Sequence, residues 1–577
     1  MYLKSPYPDP PAIPEVNSHY LFFKRPDQAE WPDYTLHIDA KTGRRRKYKE
    51  FIKRIEDLAT ALGAPVSQEG LGLKAEDGEI VGIVSENCMD YVTLIHSCLM
   101  ITTPFVLISS YSTPFELKHA LTLSKASRLF VDAKLLPNLL PVAKEVGISE
   151  EKIYLLLGQA SGFKSLQDFV DDVNRKQTPF IGILPATNDT LAYLIFSSGT
   201  SGLPKAVMIS HGNLNYSLAQ FMVIATATMA VYTPPQPKTP EGIPVTLAFL
   251  PLHHTYGLHA YSFRAFLAPQ TSVILGSWDI NVALEVIPKY KITDISLIPS
   301  VIHQLVTHPN IHKADLTTIQ SMGSGAAYLP PELSAKLSAL VSKDTTFGEG
   351  YGMSEATMGA IIQPFPGSLD GKMKRVVGSA GILFPGTEGR LLRDDGSEAG
   401  VNEAAELWLK SPNIALGYWN NEKADKETFI DGWLKTGDKF RVNDEGYFFF
   451  ADRAKACDTL KVSGSQVSPV EIEDVLLANP KQLITDATVA GVSGHGRTLD
   501  EKVPRAWVVL SPKGKKVGSK AAVKELENWH KKNLSKYKWL RGGIEIVDEI
   551  PKSPTGKTLR RVLQEQYEAG LKTKSKL

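Results

Sequence analysis

Apolar residues recur at Phe51, Ile52, Ile55, Leu58, Ala59 and Leu62, a spacing of three and four that places them on one face of a helix. The short apolar run 80–84 follows and predicts a strand buried on both faces. Further strand-like runs occur at 129–131, 153–157, 192–196, 246–250 and 273–275, with helix-compatible stretches between most of them. Strands that alternate with helices predict a layered α/β architecture with mainly parallel sheets. From about Glu406 the runs become shorter and turn-separated, as at 406–410 and 447–450, which predicts a β-rich subdomain ahead of a smaller α+β segment. Between 231 and 244 stand Pro234, Pro235, Pro237, Pro240 and Pro244, so this stretch reads as a surface loop.

Length changes the picture first. A chain of 577 residues exceeds a single core, since cores stop growing at about 250–300 residues, so at least two domains are expected. Net charge is +2, from 64 basic and 62 acidic residues, and no global field favours nucleic acid or membrane. The basic run Arg44-Arg45-Arg46-Lys47 reads as the solvated start of the helix that follows it. Cys88, Cys98 and Cys457 lack metal-ligand spacing and read as packing residues in a reducing interior. The proline-rich start lacks the apolar core of a signal peptide, and stretches such as 221–231 are too short to span a bilayer, so a soluble protein is expected. Ser575-Lys576-Leu577 matches an address read by the peroxisomal import receptor, which predicts a peroxisomal location.

Four segments carry chemistry. After a predicted strand come Ser197, Ser198, Gly199, Thr200, Ser201, Gly202, Leu203, Pro204 and Lys205. Glycines there let backbone N–H groups approach an anion, hydroxyls add donors and Lys205 adds a cation, so the loop suits a triphosphate. It is not a Walker A loop, because its lysine follows Leu-Pro and precedes no Ser or Thr. The second segment is Glu349-Gly350-Tyr351-Gly352-Met353-Ser354-Glu355, in which glycines permit close approach to a flat ring, Tyr351 offers a stacking face and Glu355 a hard oxygen ligand. The third runs from Gly432 to Asp438, whose carboxylate suits a pair of hydroxyl donors. In the fourth, Pro551 to Lys557, Lys557 offers a cation to charge that builds during phosphoryl chemistry.

Together these segments resemble the adenylate-forming superfamily of acyl-CoA synthetases, peptide-synthetase adenylation domains and beetle luciferases, with the 4-coumarate:CoA ligase-like branch the nearest in pattern. The resemblance runs from about residue 35 to about residue 565. It implies a large N-terminal domain, 1–451, that binds ATP and acid, and a small mobile C-terminal domain, 452–577. It also implies that a carboxylic acid is adenylated by ATP with Mg²⁺ and then passed to coenzyme A. On this resemblance Tyr351 stacks on adenine beside Gly350, Gly352 and Met353, Ser354 contacts phosphate, and Thr200 and Glu355 hold the metal. Asp438 takes the ribose, and Gly325, Ala326 and Ala327 line the slot between adenine and acyl group. Where the family usually has Gln, this chain has Glu349.

His254 aligns with the residue that orients the carboxylate, and Tyr256 and Ala260 line the acyl site. His253 and His259 read as core histidines, since no carboxylate or cysteine stands at metal-ligand spacing beside them. Lys557 bridges carboxylate and phosphate oxygens in the family, Lys455 is the hinge and Arg453 a nucleotide contact. Lys461, Ser463, Gly464 and Gln466 match a loop that contacts coenzyme A and nucleotide. Two extra residues stand between Lys455 and Lys461, and if they distort the pivot, thioester formation is expected to slow with adenylation preserved. The pocket inferred from Tyr256, Ala260, Gly325 and Ala327 reads as apolar and not basic, favouring an aryl or medium-to-long aliphatic acid over acetate or a dicarboxylate. A luciferase-like oxygenase and a catalytically silent nucleotide-binding homologue stay open as alternatives, separable by light emission and by pyrophosphate release.

Overall fold

The computed structural model describes residues 1–197, 203–326, 329–453, 460–462, 465–493, 502–551 and 558–574, with the backbone alone at 452, 453, 461, 465, 466, 561 and 572–574. The chain forms two compact units. The first comprises Met1–Ser110, Leu121–Phe196 and Ala206–Ala451, and the second Tyr111–Ala120, Ser197–Lys205 and Asp452–Leu577.

In the first unit the predicted α/β layering is present. A seven-stranded sheet orders its strands as Gly417–Tyr418, Lys205–Ser210, Leu191–Ser197, Phe105–Ile108, Val81–Val84, Arg128–Asp132 and Ile153–Leu157. Val81–Val84 pairs in parallel with the strands on both sides, and its four residues are buried, as its unbroken apolar run requires. The helix Tyr48–Gly63 buries Phe51, Ile55, Leu58, Ala59 and Leu62 in a core that also takes in Leu247, Val273 and Ile295 of a second, nine-stranded sheet. At the centre of that sheet Val245–Ala248, Asp294–Leu297, Ser321–Ser324 and Thr346–Tyr351 run parallel.

The basic run corrects one expectation. Arg45–Lys47 is a strand, and alternation along it turns Arg46 inward, where it is 1% exposed. Arg46 lies 2.8 Å from Asp90, which Arg54 grips with two further nitrogens at 2.8 and 2.9 Å. Burial by itself raises the Asp90 carboxyl, and the two guanidinium groups outweigh it and hold the pKa below the usual range.

The β-rich part begins earlier than Glu406. Its six-stranded antiparallel sheet contains Glu388–Leu392, Ala405–Lys410, Phe429–Ile430, Trp433–Val442 and Phe448–Arg453, and recruits the first strand of the chain, Tyr2–Lys4, onto its edge. Polar residues alternate with apolar ones in these strands because one face is covered and the other wet.

In the second unit the strands Ile484–Val492, Val503–Leu510 and Ile544–Ile546 form a sheet. Ile472, Val475 and Leu476 of the helix Pro469–Leu477 and Leu526 of the helix Ser519–Asn533 pack on it, with Phe115 against the same core. Lys538 is buried between Glu116, at 2.6 Å, and Glu471, at 2.7 Å. Cys88 and Cys98 are buried and unbonded, with burial pushing the Cys88 thiol up to about 12; Cys457 and Ser575, Lys576 and Leu577 lie outside the described residues. None of the described helices is long and apolar enough to cross a membrane.

Candidate functional site

The parallel strands Asp294–Leu297, Ser321–Ser324 and Thr346–Tyr351 end side by side, with Leu297 opposite Ser324 and Ser324 opposite Glu349. Ligands of open α/β sheets bind beyond such carboxyl ends. Three of the sequence motifs meet here. A side chain begun at Gly325 would sit 3.4 Å from the Tyr256 ring and 3.7 Å from the Gly350 carbonyl, and one at Gly323 would sit 3.6 Å from the Tyr256 hydroxyl. Ala326 then takes φ +64°, a left-handed conformation that non-glycine residues adopt at a cost and that clusters at functional sites. At Gly352 a Cβ would fall 1.7 Å from the Met358 carbonyl, so the turn after Tyr351 closes only with glycine.

Tyr351 and Asp438, 87 residues apart, are joined: the Tyr351 hydroxyl donates to Asp438 Oδ2 at 2.8 Å. The Tyr351 ring rests edge-on against Phe440 with centroids 4.9 Å apart, and Met353 Sδ lies 3.8 Å from its hydroxyl. Thr436 holds the backbone of Asp438, its hydroxyl accepting the Asp438 N–H at 3.1 Å while donating to the Leu407 carbonyl at 2.7 Å. Glu349 lies two residues before Tyr351 on the same strand, Thr346–Tyr351, where burial raises its carboxyl to about 6 against a partial offset from Arg375, 3.8 Å away.

Ser354 and Glu355 open a buried turn, Ser354–Ala356. The Tyr418 hydroxyl donates to Glu355 Oε1 at 2.8 Å, and Ala415 N–H donates to the Glu355 carbonyl at 2.9 Å. Burial, then the neighbouring carboxylate, holds the Tyr418 hydroxyl well above its ordinary pKa. Thr357 follows at φ +57° and is clamped: Thr255 donates to its carbonyl at 2.6 Å, and its own hydroxyl donates to the Asn413 carbonyl at 2.5 Å. Sequence reasoning missed Tyr418, because a tyrosine in a two-residue strand carries no motif; only its pairing with Val207 brings it to Glu355.

His254 caps the helix Thr255–Leu258, its Nδ1 accepting from Tyr256 N–H at 3.5 Å. Burial pushes His253 and His259 down to about 3, and His259 is bonded to the Tyr193 hydroxyl at 2.9 Å, the environment of a core histidine. Ala260 lies in the π-turn His259–Phe263. One residue beyond that turn stands Arg264, an exposed residue whose guanidinium lies 4.5 Å over the Phe221 ring.

Ser197 and Lys205, both buried, end and begin the strands that flank the first motif. Ser198, Gly199, Thr200, Ser201, Gly202, Ala327, Lys455, Ser463, Gly464 and Lys557 lie outside the described residues. Arg453, Lys461 and Gln466 are described in backbone only, with Lys461 opposite Gln466 in a hairpin. Among the described residues no group of three His, Cys, Asp or Glu side chains could hold a metal ion.

The model of the AMP-binding enzyme family matches residues 25–419, and that of the AMP-binding enzyme C-terminal domain matches residues 471–557. A probable 4-coumarate:CoA ligase of Dictyostelium discoideum is 31% identical over 98% of this chain and 97% of its own length. An acyl-CoA ligase of Alternaria alternata is 29% identical over 94% of this chain and 93% of its own. Among solved structures, a double mutant of the o-succinylbenzoate CoA synthetase of Bacillus subtilis superimposes with a TM-score of 0.72 at 23% identity, covering 95% of this chain and 97% of that one.

Proposed function

The chain belongs to the AMP-binding enzyme family and is an adenylate-forming acid:CoA ligase, and on that premise we propose which residues carry its two half-reactions and which acids it takes. In the first, a carboxylate oxygen attacks the α-phosphorus of ATP, the bond to the bridging oxygen breaks and diphosphate leaves. In the second, the thiol of coenzyme A attacks the acyl carbon, its proton passes to solvent and AMP leaves.

The observation that carries the nucleoside assignment is the 2.8 Å bond between Tyr351 and Asp438. It holds an aromatic ring and a carboxylate in one rigid frame at the carboxyl ends of parallel strands, where a base can stack and ribose hydroxyls can donate. Gly323 and Gly325 keep the space beside Tyr256 open, since side chains there would enter it. Lys557 supplies the cation for the charge that builds on carboxylate and phosphate oxygens as they react. His254 orients the carboxylate.

Glu355 suits a divalent cation. It is buried, its Oε1 is oriented by Tyr418, and Mg²⁺ characteristically takes one or two carboxylates together with substrate phosphates. Glu355, with Thr200, would hold it, and the bound ion would neutralise phosphate charge as diphosphate departs. The skeleton of the acid is aryl or medium-to-long aliphatic, because Tyr256, Ala260, Gly323 and Gly325 present apolar or minimal surface.

Pyrophosphate release measured across aromatic and aliphatic acids, with and without coenzyme A and with acyl-AMP and acyl-CoA identified by mass, tests this reading. Acid-dependent pyrophosphate without coenzyme A, and thioester only with it, is the expected result. Tight ATP binding with no pyrophosphate from any acid would sink it.

A further inference from the structure

The near-zero total charge hides an uneven distribution. The segment 511–541 holds nine lysines and one arginine against Glu525 and Glu527, a net +8 in a chain that totals +2. Of the nine lysines only Lys538 is buried, where Glu116 and Glu471 take up its charge. The other eight are exposed. Among the described residues Lys515, Lys516, Lys520, Lys524, Lys532 and Lys536 form no ion pair. Glu525 does not offset them, because it is taken at 2.9 Å by Lys481, a further exposed cation.

Local structure gathers these charges. In the helix Ser519–Asn533, Ala522, Leu526 and His530 are buried at intervals of four, so the side turned away from them carries Lys520, Lys524 and Lys531. The preceding helix, Pro512–Val517, ends with Lys515 and Lys516 and is joined to it through Gly518 alone. Between the two groups of lysines Val517 is 53% exposed. The pattern works against the helices that carry it. Lys513 and Lys520 lie in first turns that hold no acid, where the helix dipole disfavours a cation. Lys520 and Lys524 are like charges one turn apart, which repel. A surface kept for solubility intersperses the two signs, whereas local rules broken repeatedly in one direction mark a functional surface.

We propose that this face docks the protein on a membrane surface rich in anionic phospholipid. Lysine is a hydrated point charge on a flexible stem, which suits a diffuse layer of headgroups. Nucleic-acid surfaces combine arginine forks with aromatic rings free to stack on bases. Here the eight exposed cations of the segment are all lysine, and its tryptophans are tied to the fold, Trp529 donating to the Val475 carbonyl at 2.6 Å and Trp539 to the Leu534 carbonyl at 2.9 Å. Val517, flanked in sequence by Lys515, Lys516 and Lys520, supplies an apolar side chain that enters the headgroup layer while the lysines hold its surface. The docking adds to the ligase reading and does not depend on it.

Sedimentation of the full-length protein with phosphatidylcholine vesicles, prepared with and without phosphatidylserine, tests this at low and at high salt. Wild type should bind the anionic vesicles, leave them as salt rises and ignore the neutral ones. A variant with Lys516, Lys520, Lys524 and Lys531 all replaced by alanine should bind about 10²–10³-fold more weakly, since each lysine near such a surface contributes about fivefold. A control with Lys41, Lys336, Lys343 and Lys423 replaced, exposed lysines elsewhere in the chain, should bind as wild type does. Neither variant should melt below wild type, so that lost binding is not lost fold. Equal binding to neutral vesicles, an equal loss in the control, or undiminished binding by the first variant overturns the proposal. So does capture by a single-stranded oligonucleotide in place of anionic vesicles, which gives the face to nucleic acid. A raised KM for coenzyme A in a first variant that still binds vesicles gives the lysines to the substrate and overturns it as well.

Discussion

Replacing Glu349 with glutamine tests how burial tunes the end of the strand Thr346–Tyr351. The Glu349 side chain is 18% exposed, and its carboxyl is raised from 4.5 to about 6 by burial, with Arg375 at 3.8 Å recovering part of the cost. A folded-state pKa above the unfolded value means that folding favours the protonated form. The contribution is therefore complete below about pH 4.5, is lost as pH rises through 6, and is flat above that. A displacement of about 1.5 units corresponds to ~2 kcal/mol. Glutamine has the same shape and no charge, so Glu349→Gln should stabilise the protein by up to that amount at pH 8 and by almost nothing near pH 4.5. Melting followed by calorimetry at a series of pH values is the assay, with a shift of about 2–4 °C expected at pH 8. A shift of the same size at both ends of the range, or destabilisation at pH 8, would refute the argument, because either result means that the carboxylate is not penalised by its site.

Lys557→Ala should reduce acyl-adenylate formation by about 10²–10³-fold, as for loss of one preorganised transition-state contact; adenylation at the wild-type rate contradicts the role given to Lys557. Tyr418→Phe removes the hydroxyl 2.8 Å from Glu355 and should raise the Mg²⁺ concentration needed for half-maximal pyrophosphate release by about tenfold, a charged hydrogen bond being involved; an unchanged magnesium titration argues against a metal at Glu355. Lys538→Met leaves Glu116 and Glu471 buried without their shared cation, which should cost about 3–5 kcal/mol in denaturant unfolding. A loss below about 1 kcal/mol would show that the two carboxylates share a proton or admit water once the lysine is gone.

The parallel core was legible because its information is local. Runs such as 80–84 and 153–157 are apolar without interruption, and a strand covered on both faces demands that wherever it lies in the sheet. The motif residues were legible for a related reason: Gly352 must be glycine for its own turn to close, and that constraint is written at its own position. Pairings between distant segments are not written locally. Nothing in Tyr2–Lys4 announces a partner nearly 400 residues away, yet it supplies an edge strand to Glu388–Leu392. Arg46 reads as a surface charge until Asp90 and Arg54 are brought beside it, and Tyr418 reads as an ordinary aromatic until a two-residue pairing aims its hydroxyl at Glu355. Sequence by itself thus determined the layers and the class of chemistry. Tertiary structure alone decided which charges are enclosed and which of them have partners, because burial and pairing belong to what the fold places around a residue and not to the residue itself.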